Sequence, residues 1–180
     1  MHRLVSAHNW VFDHIARLDN WIIPTLCRFT FAAVLLMYFW ASAWTKLGSG
    51  LLGFIFPGSG AYVQMFPKAM EAVSYDSSQL GFQYYLVALV GTWAEFILPF
   101  LIVVGLFTRL ASIGMIVFVL VQTWVDINGH NAQAATIGAW FDKDSGSLIM
   151  DQRLLWITVL IVLIVKGAGP LSADRVLKLS

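Results

Sequence analysis

The stretch from Tyr84 to Val125 constrains the fold more than any other part of the chain. It reads YYLVALVGTWAEFILPFLIVVGLFTRLASIGMIVFVLVQTWV, two long apolar runs joined at GLFTRL. Between Tyr84 and Leu106 the only charge is Glu95, and the run is long enough for a hydrocarbon core that needs about 20 residues. Gly105 and the Phe107-Thr108-Arg109 corner then reverse the chain. The pattern predicts a transmembrane hairpin with a carboxylate near its midplane. An acid there is unfavourable by about 2.5–3.5 kcal/mol even on lenient insertion scales, so another part of the chain must compensate it.

Counting by three and four from Glu95 gives Tyr84, Ala88, Gly91, Thr92, Pro99, Ile102 and Gly105. The opposite side carries Leu86, Val87, Leu89, Val90, Trp93, Phe96, Ile97, Phe100 and Val104. Small and polar residues mark the side of a membrane helix that packs on other helices, so Glu95 is expected to point into a bundle. Pro99, four residues on, removes the backbone donor to the Glu95 carbonyl and allows a kink. Two roles for Glu95 stay open: a structural carboxyl hydrogen-bonded to a neighbouring helix, or an acid that handles protons or touches a ligand.

Composition agrees with a membrane bundle. The 180 residues are 59% hydrophobic, with a mean hydropathy of +0.76, which excludes an ordinary soluble domain. A net charge of +1 gives no nucleic-acid patch. Cys27 is the single cysteine, which rules out an intramolecular disulfide or a CxxC pair. Asp13, Arg17 and Asp19 interrupt the start, so no cleavable signal peptide is expected.

Residues 1–21 carry Leu4, Val11, Phe12, Ile15 and Leu18 at helical spacing among charges, the pattern of an interfacial amphipathic helix. His2, His8 and His14 do not share a face of it, so no metal site is expected. The remainder, 22–180, reads as an all-α transmembrane domain, with spans at about 24–46, 84–106, 110–127 and 148–168. Arg28 is expected to snorkel at the start of the first span. Tyr38, Ser42 and Lys46 follow at i, i+4, i+8 and form a polar seam facing the bundle, and Lys46 reads equally as an interface anchor or as part of a site. The loop 47–83 contains LLGFIFPGSG, too short to span and apolar enough to dip into the interface. At the end of the third span Gln122, Asp126 and His130 lie four apart and read equally as a relay or as a cap and turn. The fourth span is the weakest, because it reaches full length only by including Asp151 and Arg153 in its first turns. Both are expected to snorkel outward.

With four spans, one side of the membrane holds Arg3, Arg17, Arg28, Arg109, Lys166, Arg175 and Lys178. The other holds Lys46, Lys68, Lys143 and Arg153 beside six acids. The positive-inside rule then places both termini in the cytoplasm, and the expected location is a bacterial-type inner membrane.

RFTFAAVLLMYFWASAWTKL, WAEFILPFLIVVGLFTRLASIGM and the tail KGAGPLSADRVL resemble the DoxX family of small four-helix membrane proteins. Lys46, Glu95 and Gly105-Leu106-Phe107-Thr108-Arg109 carry the resemblance most strongly, and His130 sits about where the family often has a histidine. The resemblance implies association with membrane oxidoreductase systems: thiosulfate–quinone oxidoreductase small subunits, redox-stress complexes and copper-handling operons. It implies partners among membrane or periplasmic redox subunits, an oligomer or complex, and quinone as the ligand.

The first functional reading is therefore a redox subunit that binds quinone within the bundle. Its candidate catalytic residues are Glu95 and Lys46, because quinone reduction needs protons delivered inside the membrane and a buried carboxylate can relay them. Tyr38, Ser42, Trp44, Thr92, Asp126 and His130 are candidates for substrate contact; Arg28, Arg109 and Pro99 are structural. A bis-histidine haem needs two intramembrane histidines and an iron–sulfur cluster needs several cysteines; the sequence offers neither set. Electrons would have to come from a partner or pass directly between bound molecules. The second reading is a membrane anchor in which Glu95 and Lys46 pair to fix helix register. A transporter ranks third, since no inverted repeat is visible. By residue count Glu95 lies ~16 Å below Tyr84 at ~1.5 Å per residue, with Lys46 near the outer surface. A direct pair then needs a long reach or a deeper start of the second span; otherwise water, Tyr38 or Ser42 bridges the two.

Overall fold

The computed structural model describes residues 2–179. The side chains of His2, Arg3, Ala7, His14 and Arg17 lie outside the described residues, and with them the expectations for His2 and His14. The described residues form helices and turns with no strand. In order these are α1 (His2–Arg17), α2 (Asp19–Phe31), α3 (Met37–Trp44), α4 (Ser59–Met65), α5 (Pro67–Ala72), α6 (Phe82–Val104), α7 (Thr108–Asn128), α8 (Ala134–Ile137), α9 (Met150–Lys166) and α10 (Ala173–Val176). A wider π-helical stretch, Ala32–Leu36, joins α2 to α3 as one rod. Such a stretch shifts the phase of the helix it interrupts.

Three helices among the described residues are long and apolar enough to cross a membrane: Asp19–Trp44, Phe82–Val104 and Thr108–Asn128. The fourth expected span is shorter than its sequence reading, 17 residues in α9, because Ile149 and Gly167 bound it. α9 nonetheless packs against both α2 and α7, and α6 packs against α3 and α7. Phe31, Leu35, Phe39, Ile102, Met115, Val119, Leu160 and Leu163 fill the space between these helices. Ala88, Thr92, Glu95, Pro99 and Ile102 are the buried residues of α6, whereas Leu86, Val90, Trp93, Ile97 and Phe100 are exposed. The packing side of α6 is thus the small and polar one.

The reversal at GLFTRL has a definite chemistry. Gly105 closes α6 in the left-handed conformation, φ +74°, where a side chain is strained. A Cβ there would also lie 2.7 Å from Ser172 Cβ and 2.8 Å from Arg28 Cζ. Asp174 accepts from the backbone N–H of Phe107 at 2.6 Å and of Thr108 at 3.0 Å, so a carboxylate from the C-terminal tail caps α7. Arg28 does not snorkel. It donates to the carbonyls of Ile102 and Val103 in the last turn of α6 and of Ala168 and Leu171 in the turn after α9, and so ties the two helix ends together. Arg153 does not snorkel either: it is buried and pairs with Asp126.

Candidate functional site

Lys46 and Glu95 meet directly. Lys46 Nζ lies 3.0 Å from Glu95 Oε1 and 2.9 Å from Oε2. The ammonium also donates to Ser42 Oγ at 2.6 Å and to the Ser42 carbonyl at 3.2 Å. Ser42 Oγ in turn donates to Glu95 Oε1 at 3.2 Å. The two charged side chains are 4% and 5% exposed, so both depend on each other for a countercharge.

Two local features bring them together. α3 ends at Trp44, and Gly58 N–H donates to the Lys46 carbonyl at 2.9 Å, fixing the turn from which the Lys46 side chain folds back over Ser42. α6 begins at Phe82, so roughly 20 Å of helix, at ~1.5 Å per residue, precedes Glu95 and stands past the end of α3. The loop after α3 folds over this projecting part. Met65 of α4 sits over Gly91, where a Cβ would be only 2.7 Å from its methyl carbon. Ala61, Tyr62, Met70 and Ala88 form a separate small core there. Glu95 is therefore deep in its own helix while level with the last turn of α3. The loop's Leu51, Leu52, Phe54, Ile55 and Phe56 point outward, and Trp93 and Tyr85 hold it to α6 through the carbonyls of Phe54 and Ile55.

A cavity of about 320 Å³ opens beside the pair. Ser42, Lys46, Glu95, Gln64, Gln122, Asp126 and His130 line its polar part, and Val87, Phe118, Val121 and Trp124 its apolar part. α7 continues to Asn128, which keeps Gln122 and Asp126 on the face that reaches this cavity. His130 Nε2 lies 2.9 Å from the Gln64 carbonyl; an acceptor there requires Nε2 to carry a proton. Asp126 is bound by Arg153, whose Nη1 donates to Thr123 Oγ1 at 2.8 Å.

The other candidates are distributed differently. Tyr38 accepts from Gln122 Nε2 at 3.0 Å but lines a neighbouring cavity. Trp44 stacks edge-on against Phe54 and Phe96, and Thr92 donates to the Ala88 carbonyl within its own helix; neither lines either cavity. Pro99 is buried in α6. Arg109 is exposed and lies beside Gly167. Arg153 and Gln64 were not among the sequence candidates. The signal for Arg153 was present: a charge in the first turns of an apolar helix, with Asp126 as the complementary charge on another. Gln64 carries no comparable signal. Among the described residues no group of three or more His, Cys, Asp or Glu side chains could hold a metal ion.

The long apolar helices and the buried ion pair beside an amphipathic cavity define a helical integral membrane protein. The DoxX family profile matches residues 26–126, more than half of the chain, and the chain belongs to the DoxX family. That match includes Lys46, Glu95 and Asp126 and ends before His130 and Arg153. No curated protein and no solved structure matches the chain.

Proposed function

We propose that this chain is the membrane subunit of a quinone-linked redox system, with the quinone head group bound in the 320 Å³ cavity and Glu95 exchanging its proton. The Lys46–Ser42–Glu95 cluster at the wall of that cavity carries the reading. Reduction of a quinone to a quinol takes two electrons and two protons. A partner redox subunit supplies the electrons, and Glu95, resupplied through Asp126 and His130, supplies protons to the ring oxygens. Lys46 holds the carboxylate in place and offsets its charge once the proton has left. The apolar lining by Val87, Val121 and Trp124 suits a flat ring entering from lipid. In this reading α9 is the fourth span of a bundle in a bacterial-type inner membrane, with both termini in the cytoplasm. α1, with Leu4, Val11, Phe12 and Ile15 exposed, lies in the interface.

A second reading has one observation in its favour: the Glu95 carboxylate already has donors on both oxygens, as a purely structural pair would. The test uses membranes containing the chain and its partners. Glu95→Gln abolishes quinone-linked turnover. The double variant Lys46→Met, Glu95→Leu removes both charges together, restores folding and stays inactive. Full turnover in the folded double variant refutes proton handling and leaves the pair as a register device in an anchor subunit.

A further inference from the structure

Residues 47–58 leave the end of α3 and return to it: Gly58 N–H donates to the Lys46 carbonyl at 2.9 Å, and Leu47 pairs with Pro57. We propose that the tip of this loop, with Leu51, Leu52, Ile55 and Phe56 outermost, is seated among lipid acyl chains inside the hydrocarbon of the membrane, below the interface at which its sequence alone would place it. This surface lines neither cavity, and the inference holds whatever the cavity beside Glu95 binds.

The level of the loop along α6 carries the inference. Arg109 is exposed at the corner after Gly105, and a charge on the lipid side of a helix sits at headgroup level. The hydrocarbon then extends about 30 Å from that corner. Trp93 Nε1 donates to the Phe54 carbonyl at 2.7 Å, and the Tyr85 hydroxyl to the Ile55 carbonyl at 3.1 Å. At ~1.5 Å per residue these two anchors stand ~18 Å and ~30 Å from Gly105 along the helix. The loop they hold therefore lies in the far half of the hydrocarbon, level with the exposed Leu86, Val87 and Val90 of α6. It stands where further turns of α3 would have run.

The chemistry of the loop suits that depth. No charged residue occurs from Leu47 to Pro67. Backbone facing lipid must find its hydrogen bonds within the protein, and four successive carbonyls do so. Leu52 accepts from the N–H groups of Ile55 and Phe56, and Gly53 from that of Gly48; Phe54 and Ile55 accept from the two α6 side chains. The close fold needs glycine, since a Cβ on Gly48 would lie 2.1 Å from the Phe56 carbonyl oxygen and one on Gly53 2.1 Å from that of Gly48. Meanwhile Leu51 is 99% exposed, and Leu52, Ile55 and Phe56 are exposed beside it. A loop in water needs neither the internal bonds nor the outward apolar side chains; hydrocarbon requires the first and accommodates the second.

The test measures depth. Leu51→Cys and Ile55→Cys are made in a Cys27→Ser background, carry a nitroxide, and are placed as the full chain in lipid nanodiscs. Power-saturation electron paramagnetic resonance then reads collisions with oxygen, which partitions into lipid, and with a nickel chelate, which stays in water. Val90→Cys is the reference for lipid at the same level, and Ser145→Cys, on an exposed turn, the reference for water. Both loop labels are expected to meet oxygen as strongly as the Val90 label and to lose the nickel contact seen at Ser145. Removing the Leu51 side chain costs no packing, and the exposed Leu52→Cys repeats the reading if a labelled variant does not fold. Nickel contact equal to that at Ser145 overturns the proposal by placing the loop in water. Labels that meet neither reagent overturn it too, since a second copy of the chain would then cover the tip.

Discussion

Removing one partner of the Lys46–Glu95 pair should be far more damaging than removing both. Each charge is almost fully buried. Glu95→Leu leaves the ammonium with only Ser42 for company, and Lys46→Met leaves the carboxylate with a single donor, the Ser42 hydroxyl. Breaking a buried pair from one side destabilises a protein by about 3–5 kcal/mol, whereas replacing both partners with apolar groups of similar size is often neutral or stabilising. Each single variant is therefore expected to lose about 3–5 kcal/mol. The double variant should fall close to wild type, so the coupling energy of the cycle equals the two single losses together, about 6–10 kcal/mol. The assay is thermal unfolding of the four proteins in one detergent, followed by helical circular dichroism and by the fraction that stays monodisperse on gel filtration. Contacting residues typically couple by about 0.5–3 kcal/mol and independent sites add to within about 0.3–0.5 kcal/mol. Additive losses in the double variant would refute the direct pair, and with it the geometry of the cavity.

Asp174→Ala removes both backbone bonds at the start of α7 and should destabilise by about 1–2 kcal/mol, within the range of lost N-caps, read as a lower unfolding midpoint. Asp174→Asn should recover only part of that loss, since its single amide oxygen can accept from one of the two N–H groups while its NH2 faces the other. For topology, Ser77→Cys and Ser145→Cys in a Cys27→Ser background should react with a membrane-impermeant thiol reagent added to intact cells, and Leu179→Cys should not. The opposite pattern would invert the proposed orientation.

Much of this protein was legible in the sequence because a bilayer imposes strong, local rules. Lengths of apolar chain gave the three long helices, and Gly105 with the Phe107-Thr108-Arg109 corner gave the reversal between two of them. The side of α6 that packs inward was legible too, because small and polar residues recur there at helical spacing. Glu95 stood out as the one charge in an apolar run, and Ser42 and Lys46 fell on one seam for the same reason.

The tertiary structure decided how these parts meet. Residue counting along straight helices set Lys46 well above Glu95, but a loop that covers the first turns of α6 moves the end of α3 down to the level of the acid, and no periodicity encodes that offset. Arg28 and Asp174 likewise gained their roles only through the fold: each binds backbone groups at the ends of other helices, and backbone carbonyls and N–H groups have no residue signature. The same holds for Arg153. Its charge at the start of an apolar helix was visible, but its inward direction depends on Asp126 and Thr123 of α7 lying beside it. Sequence determines which side chains cannot face lipid; only the packing of the helices determines which of them face one another.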